Sequence, residues 1–343
     1  MRILITGVTG MAGSHLAEYL LGIGGLEVYG TYRWRSRMEN LDDLKKGGRL
    51  SIICDSSNAG GQSMPKDDAG KESLNLIEGD MADPSSMKRV IATVRPDRIF
   101  HLAAQSYVPS SWNAPAETLT RNIIGQVNLL DAVREVGIDP LIHIAGSSEE
   151  YGLVYPHETP VKETNPLRPL SPYAVSKIAQ EMLAYQYFMS YGLKTVVTRG
   201  FNHEGPRRGE VFVTSNIAKQ IAEIEKGLKP PVLYTGDLSS MRDWTDVRDF
   251  VQAYWLVVGK GTPGEVYNIG SGVGREVREL VDTLLRMTDV KVEIKVDPSR
   301  LRPSDVKMLV CDATKFRNLT GWEPKIPFEQ TMKDILDYWR ERV

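Results

Sequence analysis

The 343-residue chain is predicted to fold as a doubly wound parallel α/β sheet, and three observations predict it. A β-branched run, RILITG (2–7), opens the chain and ends on glycine; a stretch with helical apolar spacing follows it; and short apolar runs then alternate with helical ones to about residue 200. Taken in order, RILITG is a strand, SHLAEYLLGIG (14–24) a helix and LEVYGTY (26–32) a second strand, which together make a βαβ unit. EGDM (78–81) lies where a third strand would end. DRIFHLAA (97–104) reads as a strand, TLTRNIIGQVNLLDAVREVG (118–137) as a helix and PLIHIAG (140–146) as another buried strand.

Between the second and third strands, SSNAGGQSMPKDDAGKE (56–72) is polar, has no apolar period and reads as a flexible surface insertion. From about residue 200 the alternation loosens, with Gly/Pro turns in EGPRRGE (204–210), KPPV (229–232) and GTPGE (261–265). We therefore expect a nucleotide-binding domain over 1–200 and a smaller, irregular substrate-binding region over 201–343, part of which returns to the sheet and which ends in a helix, FEQTMKDILDYWRERV (328–343). Forty-two basic against forty-four acidic residues leave a formal charge of −2, without the clustered excess that binds nucleic acid. Cys54 and Cys311 are isolated and the five histidines (His15, His101, His143, His157, His203) are scattered, so no metal site is expected and the thiols should be reduced. No signal-peptide pattern and no apolar run of bilayer length occur, so the expectation is a cytoplasmic protein away from membranes.

The first βα turn reads TGVTGMAGS (6–14). Gly7, Gly10 and Gly13 let a backbone approach a pyrophosphate, whose charge suits the free amides at a helix start. A site for NAD puts an acid at the end of the second strand to hold the ribose hydroxyls. That end reads GTYRWRSR, with no acid; Arg33, Arg35 and Ser36 suit a 2′-phosphate, which favours NADP. Asp80 could meet the adenine edge or be a solvated turn residue.

SPYAVSK (171–177) places Ser171 as an N-cap and Pro172 at the first helical position, so Tyr173 and Lys177 share one helix face. A free phenol has a pKa near ~10, and an adjacent ammonium together with an oxidised nicotinamide favours its ionisation, which makes Tyr173 a general base for an alcohol. IAGSSEEYG (144–152) supplies partners. If strand geometry persists, Ser147, Glu149 and Tyr151 point one way, with Ser147 bonding the oxygen that Tyr173 deprotonates and Glu149 along the substrate, while Ser148 and Glu150 point the other and Glu150 is solvated or structural. Hydride removal needs no carboxylate. Glu149 is a tool for elimination, taking the acidified proton beside a new ketone.

GxxGxxG, HLAAQS, SSEEYG and SPYAVSK together resemble the extended short-chain dehydrogenase/reductase superfamily of nucleotide-sugar enzymes, with a Rossmann-like fold. RGFNHEGPRRGEVFVT (199–214), SSMRDWTDVRD (239–249) and RLRPSDV (300–306) are most similar to GDP-mannose 4,6-dehydratases. The resemblance implies catalysis by Ser147, Glu149, Tyr173 and Lys177. It implies NADP contacts from Gly7, Thr9, Gly10, Met11, Gly13, Arg33, Arg35, Ser36, Asp80, Met81, Leu102, Ala103, Ala104, Ser106, His203 and Arg208. A GDP-sugar would be held by Asn202, Arg242 and Arg302, with Ser106, Ser147, Ser148 and Glu149 along the sugar. The implied reaction is oxidation at C4, removal of the C5 proton, loss of water from C6 and return of the hydride. Two departures stand out: Ser147 replaces a frequent threonine, and Trp34 interrupts an Arg pair in a loop that in the family reaches a neighbouring subunit, so the expected homo-oligomer is a dimer or a tetramer. The SSEEYG spelling also fits NADPH-dependent GDP-4-keto-6-deoxy-mannose reductases, RWRSRMENL resembles dehydratases acting on GDP-manno-heptose, and an epimerase or a non-catalytic NADP sensor are further alternatives.

Overall fold

Strand β1 (Arg2–Thr6) runs into the helix Met11–Ile23, and β2 (Glu27–Tyr32) returns parallel beside β1. The structure is a computed structural model that describes residues 1–53, 72–301 and 306–343. The expected insertion falls almost wholly outside the described residues, as do Cys54 and Arg302. The chain continues through β3 (Leu50–Ile53), β4 (Leu74–Glu78), β5 (Arg98–His101), β6 (Leu141–Ala145) and β7 (Thr195–Gly200). Then come β8 (Asn202–Glu204), β9 (Val232–Thr235), β10 (Met241–Asp246), β11 (Val266–Ile269), β12 (Gly274–Glu276), β13 (Glu293–Val296) and β14 (Met308–Leu309).

Among the described residues, eight strands form one sheet in the order β11-β7-β6-β5-β1-β2-β4-β3, with every neighbouring pair parallel. Parallel sheets are covered on both faces, so their strands are apolar throughout; all six residues of β7 and the last four of β1 are buried accordingly. Successive strands run outward from β1 in both directions. The crevice where the order reverses lies beyond the carboxyl ends of β1 and β5, the place where such sheets bind ligands.

The later part of the chain shares the first core. β11 extends the sheet beyond β7, and Phe250, Val251 and Val257 of the helix Val247–Lys260 are buried with Leu16 and Leu20 of the helix Met11–Ile23. A second core forms where the helices Val213–Glu225, Val277–Leu285 and Phe328–Arg340 bury Ile221, Leu280 and Met332 around Trp244 of β10. β10 ties the layers together, pairing with β8, β12 and β14. The final helix stops at Arg340, three residues short of the predicted end.

Two elements differ from expectation in ways that matter for the site. The helix expected over 118–137 contains a π-helical turn, Thr120–Ile124, between Pro115–Leu119 and Gly125–Val136. The strand expected through IAGSSEEYG ends at Ala145, and Ser148–Glu150 form a 3-10 turn. Ser147 caps that turn: its hydroxyl accepts from the Glu149 amide (3.2 Å), while the Glu150 carboxylate accepts from the Ser147 amide (2.7 Å). Local capping chemistry therefore overrides strand alternation.

Candidate active site

A cleft of about 1520 Å³ runs from the β1 turn to the C-terminal core. At its floor Gly7 has φ +75°, a conformation that disfavours a side chain, and a Cβ there would come within 2.8 Å of the Ala103 amide. A Cβ on Gly13 would overlap the Gly7 carbonyl oxygen. These glycines bring β1, the strand-β5 loop and the first helix within backbone contact, and that helix begins at Gly10 with no side-chain cap on its amides. The resulting cradle of amides fits a pyrophosphate. Thr9, Met11, Asp80, Met81, Leu102, Ala103, Ala104 and Ser106 line the same floor, with Arg33 and Ser36 at the end of β2. Arg35 does not line it; its guanidinium lies 4.5 Å from the centre of the Trp34 ring. Asp80 is exposed and accepts from the Ala82 amide (3.0 Å).

Ser147, Ser148 and Glu149 reach the cleft from the turn after β6, and Tyr173 and Lys177 from the helix Pro172–Tyr191. That helix starts as its sequence predicts, with the Ser171 hydroxyl accepting from the Ala174 amide (3.1 Å) and proline at the first position. Lys177 donates to the Ala145 carbonyl (2.7 Å), and its nitrogen lies 5.8 Å from the centre of the Tyr173 ring. Burial lowers the Lys177 ammonium to about 8, with Glu150 opposing. Burial raises the Tyr173 phenol well above its ordinary value, as do the nearby Glu149 and Glu150 charges, while a hydrogen bond with Ser147 pulls it down. The phenol therefore stays protonated until positive charge is brought close to it.

Of the two roles expected of Glu150, solvated or structural, it takes the structural one: it is fully buried, turned from the cleft by the 3-10 turn toward Arg199. Farther along the cleft, Asn202 and His203 enter from β8, Arg208 from the loop after it and Arg242 from β10. His203 is stacked on Phe250 (4.2 Å between ring centres) and bonded to the Phe201 carbonyl (3.1 Å), and burial lowers it to about 4. Arg208 covers the Phe212 ring (3.6 Å). Its Nε is buried 3.5 Å from the Glu204 carboxylate, an ion pair too long for a hydrogen bond. Arg207 carries a positive φ of 71° and reaches the opposite way, to Glu18 (2.7 Å) and Asp43 (2.9 Å), so the loop is fastened to the nucleotide domain.

Several site residues were missed from the sequence. Asn122, on the π-helical turn, clamps both backbone groups of Gln105 (2.8 and 3.1 Å) and donates to Ser176 (2.9 Å), joining the cleft floor to the helix Pro172–Tyr191. The unbroken helical pattern of 118–137 hid it; a π turn within a helix is often functional. Tyr254, Lys219 and Arg300 also line the cleft. They stand alone in sequence, with no spacing signal. Among the described residues no His, Cys, Asp and Glu cluster could hold a metal ion.

The sequence pattern of the family "GDP-mannose 4,6 dehydratase" matches residues 4–335, nearly the whole chain. The chain belongs to this family. It is 36% identical to GDP-mannose 4,6 dehydratase 1 of Arabidopsis thaliana over 97% of this chain and 88% of that one. It is also 36% identical to GDP-6-deoxy-D-mannose reductase of Pseudomonas aeruginosa, over 77% of this chain and 86% of that one. In three dimensions it resembles RMD of Pseudomonas aeruginosa complexed with NADPH, at a TM-score of 0.79 and 30% identity over 100% and 99% of the two chains. The fold of this dehydratase-family chain is thus the α/β nucleotide-binding fold of nucleotide-sugar enzymes.

Proposed function

We propose that the chain is an NADP-dependent nucleotide-sugar 4,6-dehydratase that converts a GDP-hexose to its 4-keto-6-deoxy form. The observation that carries this reading is the Glu149 carboxylate in one cleft with Ser147, Tyr173 and Lys177, near enough to Tyr173 for its charge to oppose the phenolate. The amide cradle at Gly7–Gly13 and the Arg33/Ser36 end of β2 suit the pyrophosphate and 2′-phosphate of NADP, and Arg242 suits a second diphosphate. NADP, when bound, would supply a hydride acceptor and donor and the positive charge of its oxidised ring.

With that charge in place, Tyr173 takes the proton from the sugar C4 hydroxyl while Ser147 holds the same oxygen. Lys177 stabilises the phenolate electrostatically. Glu149 then takes the C5 proton, acidic beside the C4 carbonyl, and gives it to the departing C6 hydroxyl, which leaves as water. Burial keeps Glu150 away from this step.

The experiment gives the purified protein GDP-mannose with a trace of NADP and follows mass. Loss of one water without net change in the cofactor supports the reading; stoichiometric NADPH consumption on a 4-keto sugar favours the reductase that the Pseudomonas relative suggests. We further propose a homo-oligomer acting in a reducing, cytoplasmic setting. Val175, Met182, Tyr185 and Met189 are exposed at spacings of 7, 3 and 4 along the helix Pro172–Tyr191, an apolar stripe suited to a second copy. The buried free thiol of Cys311 suits that setting, and among the described residues no helix is long and apolar enough to cross a membrane.

A further inference from the structure

Behind the turn that carries Ser147 lies a buried cluster of Glu150, Glu181 and Arg199, none of which lines the cleft. Arg199 of β7 gives its Nε and Nη2 to both oxygens of Glu181 (2.8 and 2.6 Å), and its Nη1 to the Tyr151 hydroxyl and the Glu163 carbonyl (3.0 Å each). Glu150 comes to the same guanidinium, but only to 3.7 Å, because the Nε it faces is already committed to Glu181. One oxygen of Glu150 accepts from the Ser147 amide at 2.7 Å; the other is buried without a hydrogen-bond partner. Glu150 is 0% exposed and Glu181 is 2%.

Two carboxylates against one guanidinium leave a negative charge that no hydrogen-bonded cation within the cluster compensates, the nearby Lys177 ammonium being directed to the Ala145 carbonyl, and such a charge away from water is costly. A single proton removes it. A protonated carboxyl is a donor, so the orphaned Glu150 oxygen gains a bond to Glu181 while the other oxygen keeps the Ser147 amide. Burial, and after it the Glu181 charge, hold Glu150 well above the usual carboxylate range, although Arg199 and the Ser147 amide pull it down. The other charged or titratable groups facing the cluster are Lys177 and Tyr173 on the helix Pro172–Tyr191, Tyr151 beside the turn, and Glu163, whose carboxylate accepts from the Asn268 amide (2.8 Å). Lys177 is directed to the Ala145 carbonyl (2.7 Å).

We propose that Glu150 and Glu181 share one proton over Arg199, and that Glu150, as a neutral acid, is a positioning residue which pins the Ser147 amide and so holds the Ser147 hydroxyl against Tyr173. This rests on the catalytic reading of Ser147 and Tyr173 above. The shared proton belongs to the pair.

The test uses Glu150→Gln and Glu150→Leu in the full-length protein. Gln reproduces the neutral acid, accepting from Ser147 and donating to Glu181; Leu does neither. Glu150→Leu should lower kcat by about tenfold or more with KM for the GDP-sugar nearly unchanged, and Glu150→Gln should restore most of that rate with the pH profile of kcat in place. A Glu150→Gln variant as impaired as Glu150→Leu, or one whose profile moves by about a pH unit or more, would instead mark an ionised Glu150 balancing Lys177 and overturn the proposal. Infrared spectroscopy decides without turnover: a protonated-carboxyl stretch at neutral pH, lost in Glu150→Gln, is expected, and its absence from the parent protein refutes the shared proton. That arm stands if Glu150→Leu does not fold, and equally if the protein fails to dehydrate GDP-mannose.

Discussion

Replacing Glu149 by Gln removes a base while keeping the size of the side chain. The turn geometry is set by backbone, since the Glu149 amide donates to the Ser147 hydroxyl (3.2 Å) and the carboxylate that closes the cap belongs to Glu150. Ser147, Tyr173 and Lys177 therefore stay in place. General-base catalysis contributes about 10²–10⁴ in rate. Glu149 is half-buried in an open cleft, so water can act as a poor substitute base, and the loss should lie toward the hundredfold end, ~3 kcal/mol. The first step should not slow: next to burial, the Glu149 charge is what opposes ionisation of Tyr173, and Gln removes it. The assay mixes variant, NADP and GDP-mannose in heavy water under single turnover. Reduced-nicotinamide absorbance should appear at the parent rate, while water loss and deuterium entry at C5 fall together. Full turnover by Glu149→Gln, or no reduced cofactor at all, would refute the assignment.

Burial holds the Lys177 ammonium at about 8, so it is charged below that pH and neutral above it; kcat should fall as pH rises through about 8, and a profile flat to pH 10 would contradict its electrostatic role. Gly13→Ala sets a methyl against backbone at Gly7 and 2.7 Å from the Val8 Cα, where nothing flexible can yield. Titration calorimetry should find NADP affinity reduced about tenfold or more, ~1.4 kcal/mol, and unchanged affinity would show that the loop does not hold the cofactor. His15, His101 and His143 are buried, His203 is half-buried in the cleft, and desolvation depresses the four from about 6.5 to about 4, 3, 3 and 4. Because the folded values lie below the unfolded one, their stabilisation is complete above about pH 6.5 and drains away toward pH 3; near pH 5 unfolding should take up about four protons. Urea midpoints measured from pH 7 to 4.5 test this, and a midpoint that does not move would contradict it.

What the sequence determined by itself was local. The glycine loop, the Ser171 cap with Pro172, and the Tyr173/Lys177 pair depend on contacts within four residues or on one strand followed by one helix, so their pattern survives in a linear reading. The NADP preference was likewise legible in an arginine-rich strand end without an acid.

Tertiary structure decided the rest. Whether Glu150 met water depended on Glu181 and Arg199, 31 and 49 residues away, and on a cap that broke the strand period at Ser147. Arg35 left the cleft for Trp34 although its neighbour Arg33 stayed. Asn122 and Tyr254 gained their places only when separate helices packed against one sheet. Burial and charge compensation are properties of distant pairs. No spacing along the chain encodes them, and they decide which of two adjacent glutamates can act as a base.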